Sequence, residues 1–367
     1  MPYSKIIKIF LINVISIAVI FLLLEVVSGF FFKKSYRNEI YSLIMQDKQL
    51  FWKHRKNVNL IFEGKEVSTN SYGFRNREIS EKIKPRIIVM GASPSFGWGV
   101  KSDDTYSKLV ENMFNGKYEV INASVIGYSS YQGILLVDKI INLKPDIIIF
   151  AYGANDADRY RFFDSTEVPD SLFRPRNILI NSIIIKSNLT SLLNSFLTKN
   201  NILKYKFNVV PRVSIDEFKK NLELFHNKLK KNSIKMITLS IPFSYPLDNK
   251  NCNIDENLLK NANSVYPEEI KELKSCDFYA DIKNYNDFFK KLQQLQIFKI
   301  KDEVNEYNKT IKSFAHETDI GYIDINSYFD CNKNLFLDPQ KDMVHFSTAG
   351  HRKVAEYIYS YILSHPI

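Results

Sequence analysis

The most continuous hydrophobic pattern in the chain lies at its start. Between Ile9 and Phe32 the only charged residue is Glu25; Lys5 and Lys8 precede the run, and Lys33, Lys34 and Arg37 follow it. About 24 residues make a helix roughly 36 Å long, enough to cross a hydrocarbon core. A secretory signal is the rival reading, but it would use a shorter apolar core followed by a small-residue cleavage site. A helix apolar all round also does not suit a globular surface. The pattern predicts a single membrane anchor within residues 1–35. Basic residues on its two sides are nearly balanced, so charge alone does not orient it.

Residues 36–85 form a polar and aromatic lead-in. Short strands are expected at Leu60–Phe62 and Glu66–Ser68, and Asn70-Ser71-Tyr72-Gly73-Phe74-Arg75 reads as a turn. From residue 86 onward, short apolar runs alternate with stretches of helical period. Strands are expected at Arg86–Met90, Tyr118–Ile121, Asp146–Ala151, Ile234–Ile241 and Gly321–Ile325. Helices are expected at Thr105–Phe114, Tyr131–Leu143, Ile215–Lys231, Val304–Thr318 and Thr348–Leu363. In the second helix Ile134, Leu135, Val137 and Ile141 are read as the apolar side. Asp146–Ala151 is apolar without alternation, as in a strand covered on both faces. Five strands alternating with helices predict a doubly wound parallel α/β sheet over residues 86–367. Two insertions, at about 157–212 and 242–301, leave from strand ends. Both are long for plain connections and are expected to cap the carboxyl edge, where such sheets bind ligands.

A 45% hydrophobic, 25% charged composition excludes a disordered chain, and the net charge of +10 comes from dispersed lysines and not from a basic block. No zinc-finger spacing or RNA-binding motif accompanies that charge, so no nucleic-acid partner is expected. Three cysteines, Cys252, Cys276 and Cys331, exclude full internal pairing. Cys252 and Cys276 are the candidate pair if the domain lies outside the cytoplasm.

Four separated pieces carry chemistry. Gly91-Ala92-Ser93 follows the first strand of the sheet, where a serine hydroxyl can project from the sheet edge as a nucleophile once a base accepts its proton. A plain reading makes Ser93 a helix N-cap before Pro94. The glycines at 91, 97 and 99 fit neither a phosphate loop, for which Gly-Lys-Ser/Thr is absent, nor a dinucleotide fingerprint. Asp342 and His345, three residues apart, suit an imidazole general base held by a carboxylate, or else an ordinary loop. His351 is read as solvent-facing, beside Arg352 and Lys353. Gly127 and Gly153-Ala154-Asn155-Asp156 follow strands, so the amides of Ser93 and Gly127 and the side chain of Asn155 can donate to an oxyanion. Taken singly, the last two are ordinary turns.

The order Gly-x-Ser, Gly, Gly-x-Asn-Asp, Asp-x-x-His resembles the SGNH hydrolases, the GDSL-like esterase and lipase superfamily, from about Asn70 to the C-terminus apart from the insertions. The turn at 70–75 and the block Gly91–Val100 are similar to the membrane-tethered members. The resemblance implies a flavodoxin-like three-layer α/β/α fold with a five-stranded parallel sheet. It implies Ser93, Asp342 and His345 as the catalytic triad, and Ser93, Gly127 and Asn155 as the oxyanion hole. No cofactor and no metal is implied. The block departs from the family's Gly-Asp-Ser at Ala92, which removes a carboxylate beside the nucleophile but is not the triad acid. The expected activity is hydrolysis of carboxylic esters of an envelope glycan, lipid or related substrate. O-acyl transfer with the same triad, and an inactive binding module, are the alternatives. The expected topology is single-pass, with the catalytic domain outside the cytoplasm.

Overall fold

The structure is a computed structural model. It describes residues 3–31, 42–157, 211–243, 304–329, 332–338 and 342–366, with Ile40, Leu189, Tyr205–Phe207 and Phe278–Ala280 in addition. Most of the two expected insertions, and Cys252, Cys276 and Cys331, lie outside the described residues.

The apolar N-terminal run forms one helix, α1 (Tyr3–Phe31). Its stretch Ile7–Gly29 has a mean hydropathy of 2.8 and no buried residues in its most apolar part, so it is long and apolar enough to cross a membrane. The lead-in then folds as two hairpins. The first pairs β1 (Ile44–Asp47) with β2 (Phe51–His54), and the second pairs β3 (Asn59–Phe62) with β4 (Lys65–Ser68). Only the second was expected. The turn at 70–75 is tied by Asn70, whose Oδ1 accepts from the amides of Tyr72 and Phe74, both at 3.0 Å.

Beyond it come β5 (Arg86–Gly91), a short helix α2 (Ser93–Phe96), α3 (Tyr106–Met113), β6 (Glu119–Asn122), α4 (Ser130–Ile141) and β7 (Ile147–Ala151). The strand β8 (Tyr205–Phe207) precedes α5 (Ile215–Lys231), β9 (Lys235–Leu239) and β10 (Phe278–Ala280). A helix α6 over 304–318 leads to β11 (Gly321–Ile323), α7 (Asn326–Phe329), β12 (Phe336–Asp338), β13 (Asp342–Phe346) and α8 (Thr348–Ser364). Five strands make one parallel sheet in the order β11-β9-β7-β5-β6. This is the flavodoxin-like three-layer arrangement, and its winding reverses between β5 and β7, where ligands bind in such sheets.

Strand alternation sends side chains to two cores. Ile88, Met90, Ile148 and Phe150 face α4, α5 and α6, whereas Ile87, Val89, Ile147 and Ile149 face α3 and α8. Because both faces are covered, the strands read as unbroken apolar runs, and truncating one such side chain costs about 2–5 kcal/mol. The lead-in is continuous with the first core: Trp52, Phe62, Val67 and Phe74 are buried with Ile88 and Met90. At the opposite end of the sheet from Ser93, Arg86 pairs with Glu119 at 2.7 Å and its amide donates to Asp146, which fixes the amino edge.

Two expectations are corrected. In α4 Val137 is buried and Ile134 and Ile141 pack against the core as expected, but Leu135 is exposed, and Leu136 and Ile140 are buried as well. His351 does not face solvent. It is fully buried, and its Nδ1 accepts from the Tyr106 amide at 3.2 Å, capping the first turn of α3. Its sequence neighbours Arg352 and Lys353 sit about 100° and 200° further around the helix, so they do not report its surroundings.

Burial, with the charges of Arg75 and His345, lowers the His351 imidazole from 6.5 to about 3. His54 is also lowered from 6.5 to about 3, chiefly by burial. Both are neutral when folded and bind protons more readily when unfolded. Their contribution is therefore complete above pH 6.5 and is lost as pH falls from 6.5 toward 3. Each adds a slope of up to about 1.4 kcal/mol per pH unit in that window. Unfolding free energy, measured by denaturant titration, should fall on acidification from pH 7 to 5. The dependence should be shallower in His351→Asn, which keeps an acceptor for Tyr106 but does not titrate. An unchanged pH slope in that variant would contradict the buried neutral imidazole.

Candidate active site

Ser93 stands directly after β5, at the carboxyl edge of the sheet. Ala92 occupies the cap position and Ser93 the first turn of α2, with Pro94 next to it. Ser93 is therefore one residue inside the helix, and its hydroxyl is not used as a cap. The helix stops after one turn because Gly97 adopts φ 90° and closes it, with its amide donating to Ser93 O. Any Cβ on Gly97 would lie 2.4 Å from Thr105 Cγ2.

His345 reaches this serine from a segment 252 residues away. Its Nε2 lies 2.8 Å from Ser93 Oγ, and its Nδ1 lies 2.7 Å from Asp342 Oδ2. The Asp342 Oδ1 accepts from the amides of His345 (3.0 Å) and Val344 (3.3 Å), which bends the chain so that residues three apart meet. A regular strand would place them on opposite faces. The pairing of β12 with β13 shifts register between Phe336 and Asp338, and such irregularities re-aim side chains. Burial alone would raise the Asp342 carboxyl, but the bond from the His345 ring, its charge and the two amides outweigh it. The carboxyl is held below its ordinary value. It therefore stays ionised at neutral pH, an acceptor that keeps the Nδ1 proton in place and leaves Nε2 free to accept from Ser93.

Sequence reading passed over Trp98. Its ring stacks on His345 with centroids 4.8 Å apart and planes 12° apart, and Phe62 of the lead-in meets the Trp98 ring near-perpendicular at 4.8 Å. The residue stands in the Gly91–Val100 block that carries the family resemblance, but that resemblance assigns it no role. Arg75 was missed as well. Its guanidinium is buried and donates to the carbonyls of Gly97 (2.6 Å) and Val100 (2.7 Å), holding the loop that carries Trp98.

Gly127 and Asn155 lie on the loops after β6 and β7, the strands on either side of β5. Val125 to Tyr128 form a turn closed by a 3.2 Å bond from the Tyr128 amide to the Val125 carbonyl. Gly127, at φ 77°, holds its third position, a type II geometry that excludes most side chains. The Val125 amide donates to Gly91 O, so the turn is docked beside the serine loop. Asn155 Nδ2 donates to Tyr128 O at 2.8 Å, joining the two loops. Neither Gly127 nor Asn155 hydrogen-bonds Ser93. Among the described residues, the amides of Ser93 and Gly127 have no acceptor within the protein. Asp156 is buried, accepts from the Ser130 amide at the start of α4, and so pins the Asn155 loop to the turn that carries Gly127. Ala92 is buried beside Ser93 and brings no charge there. Among the described residues, no three His, Cys, Asp or Glu side chains are arranged to hold a metal ion.

The family model of GDSL-like lipases and acylhydrolases matches residues 89–353, well over half of the chain. Among solved structures the chain is similar to the lipase/acylhydrolase from Enterococcus faecalis, with 15% identity, 77% of this chain and 96% of that chain covered, and a TM-score of 0.42. A GDSL-like lipase from Bacteroides thetaiotaomicron VPI-5482 shares 15% identity over 78% of this chain and 92% of its own, with a TM-score of 0.41. A catalytic mutant of an acetylxylan esterase from Geobacillus stearothermophilus shares 14% identity over 77% and 96%, with a TM-score of 0.42. Comparison with curated proteins finds no match.

A serine hydroxyl hydrogen-bonded to an oriented imidazole reacts with fluorophosphonates, so the full-length protein should take one such label, on Ser93. Ser93→Ala should take none, and His345→Ala should react at least about 10²-fold more slowly. Undiminished labelling of Ser93→Ala would place the reactive group elsewhere.

Proposed function

The chain belongs to the GDSL-like lipase/acylhydrolase family of ester hydrolases, and on that premise we propose that it is a serine esterase using Ser93, His345 and Asp342. The observation that carries this reading is the hydrogen-bonded series from Ser93 Oγ through His345 to Asp342. In the first step Ser93 Oγ attacks the ester carbonyl while His345 Nε2 takes the hydroxyl proton. The oxyanion accepts from the amides of Ser93 and Gly127 and from Asn155 Nδ2. Collapse expels the alcohol, which leaves with the proton from His345, and an acyl group remains on Ser93. Water then repeats the sequence as nucleophile, releasing the carboxylic acid and restoring Ser93. Throughout, Asp342 holds the ring and stabilises the imidazolium. It does not take the proton.

We further propose that α1 anchors the enzyme and that its substrates are acyl esters of an envelope glycan or lipid. The length and hydropathy of Ile7–Gly29 support the anchor. The lead-in at 36–85 and the hydrolase region from 86 onward share one core, which supports a catalytic unit held close to the membrane. Its placement outside the cytoplasm rests on the tethered arrangement, because large C-terminal domains can translocate despite nearby basic residues.

Two measurements test this function. With p-nitrophenyl acetate, full-length protein in detergent should turn over, Ser93→Ala should not, and Asn155→Ala should lose about 10²–10³ in kcat. An Asn155→Ala loss explained wholly by unfolding would reduce that residue to a turn former. For topology, protease added to intact spheroplasts should remove a C-terminal epitope tag. A tag protected until the inner membrane is lysed would direct the substrate search to intracellular esters.

A further inference from the structure

The lead-in touches the proposed oxyanion hole at Ile126, through the two successive peptides that residue joins. In β2 the alternate residues Trp52 and His54 are buried on one face, and both reach Ile126. Trp52 Nε1 donates to Ile126 O at 2.8 Å, and the Ile126 amide donates to His54 Nε2 at 3.2 Å. The Ile126 carbonyl and the Gly127 amide belong to the same planar trans peptide, so they point in opposite directions. A donor that fixes the carbonyl therefore also fixes the direction of the Gly127 N–H. Further bonds hold the same elements: Tyr128 Oη donates to Trp52 O at 2.6 Å, and Arg212 donates to Gly127 O at 2.7 Å with its guanidinium over the Trp52 ring at 5.6 Å.

We propose that Trp52 and His54 are positioning residues: Trp52 holds the Ile126–Gly127 peptide, and His54 the Val125–Ile126 peptide before it, so that the Gly127 N–H is aimed as the oxyanion donor. The lead-in is then a working part of the site and not only a spacer between anchor and enzyme. This rests on the esterase reading given above. Two physical effects follow. The grip removes rotation of the peptide plane, so the donor needs no reorganisation when charge develops on the substrate oxygen. Hydrogen bonding at the carbonyl also polarises the peptide and strengthens its N–H as a donor. His54 suits the acceptor role because burial lowers its imidazole to about 3, so the ring is neutral and Nε2 can accept from the Ile126 amide.

The test uses full-length protein in detergent, with active sites counted by fluorophosphonate titration and turnover of p-nitrophenyl acetate measured per titrated site. Trp52→Phe keeps a ring against Tyr128 but removes the N–H. It should lower kcat about tenfold with KM nearly unchanged, and weaken inhibition by phenylboronic acid, whose tetrahedral adduct carries negative charge, by a similar factor. His54→Gln keeps an acceptor and should retain wild-type kcat, while His54→Leu should lose turnover as Trp52→Phe does. Wild-type kcat per titrated site in both Trp52→Phe and His54→Leu would overturn the grip. So would a loss confined to the number of titratable sites, which marks a folding role alone. Wild-type protein that neither turns over nor labels would instead defeat the esterase reading itself, and this inference with it.

Discussion

Peptide groups buried in the loops that leave the carboxyl edge of a parallel sheet need partners, because each one buried without a partner costs about 1–3 kcal/mol. Among the described residues, the amides of Ser93 and Gly127 are exceptions here. Much of the architecture around Ser93 answers that constraint. Arg75 takes up carbonyls of the loop after α2, and Asn122 Nδ2 donates to Ser95 O. Trp52 and His54 satisfy both polar groups of Ile126, and Asp156 accepts from the start of α4. The same bonds that keep these loops from being liabilities fix the directions of the groups that would act on an ester. Stability and preorganisation therefore come from one set of contacts, several of them supplied by the lead-in.

The arrangement also separates tasks along the strands. At the amino edge, far from Ser93, Arg86 and Glu119 form a buried ion pair, and the half-buried Asp146 accepts from the Arg86 amide and pairs with Lys82. Buried ion pairs contribute little net stability but are costly to break from one side, so this edge holds register while the other edge carries chemistry. The two cores between them are apolar and continuous, which keeps β5 and β7 rigid beneath the loops that bear Ser93 and Asn155.

The parts legible in the sequence are those set by local pattern. β5 and β7 announce themselves as unbroken apolar runs, and α5 by the helical period of Ile215–Lys231. Three of the four motif pieces follow β5, β6 and β7, and topology gathers those strand ends at one edge; Asp342 and His345 lie within β13, outside that sheet. What failed depends on contacts distant in sequence. The β1–β2 hairpin looks merely polar and aromatic until Trp52 meets Ile126, 74 residues on. His351 was misread from its basic neighbours, which occupy other faces of α8. The buried face of α4 was read with Leu135 in place of Leu136 and Ile140, because a run so rich in leucine and isoleucine leaves its phase undetermined. Asp342 and His345 meet as their spacing suggests, but the geometry that joins them is an irregular strand.

The central claim is that an acyl group passes through Ser93, and a covalent intermediate tests it most directly. Full-length protein mixed with p-nitrophenyl acetate, quenched in acid within the first turnover and digested, can be read by peptide mass spectrometry. The account predicts a peptide carrying one acetyl group on Ser93, which accumulates further in a variant slowed in deacylation. Sustained turnover with no acyl group on Ser93, or with acetyl found on a different residue that appears and decays at the catalytic rate, would contradict it.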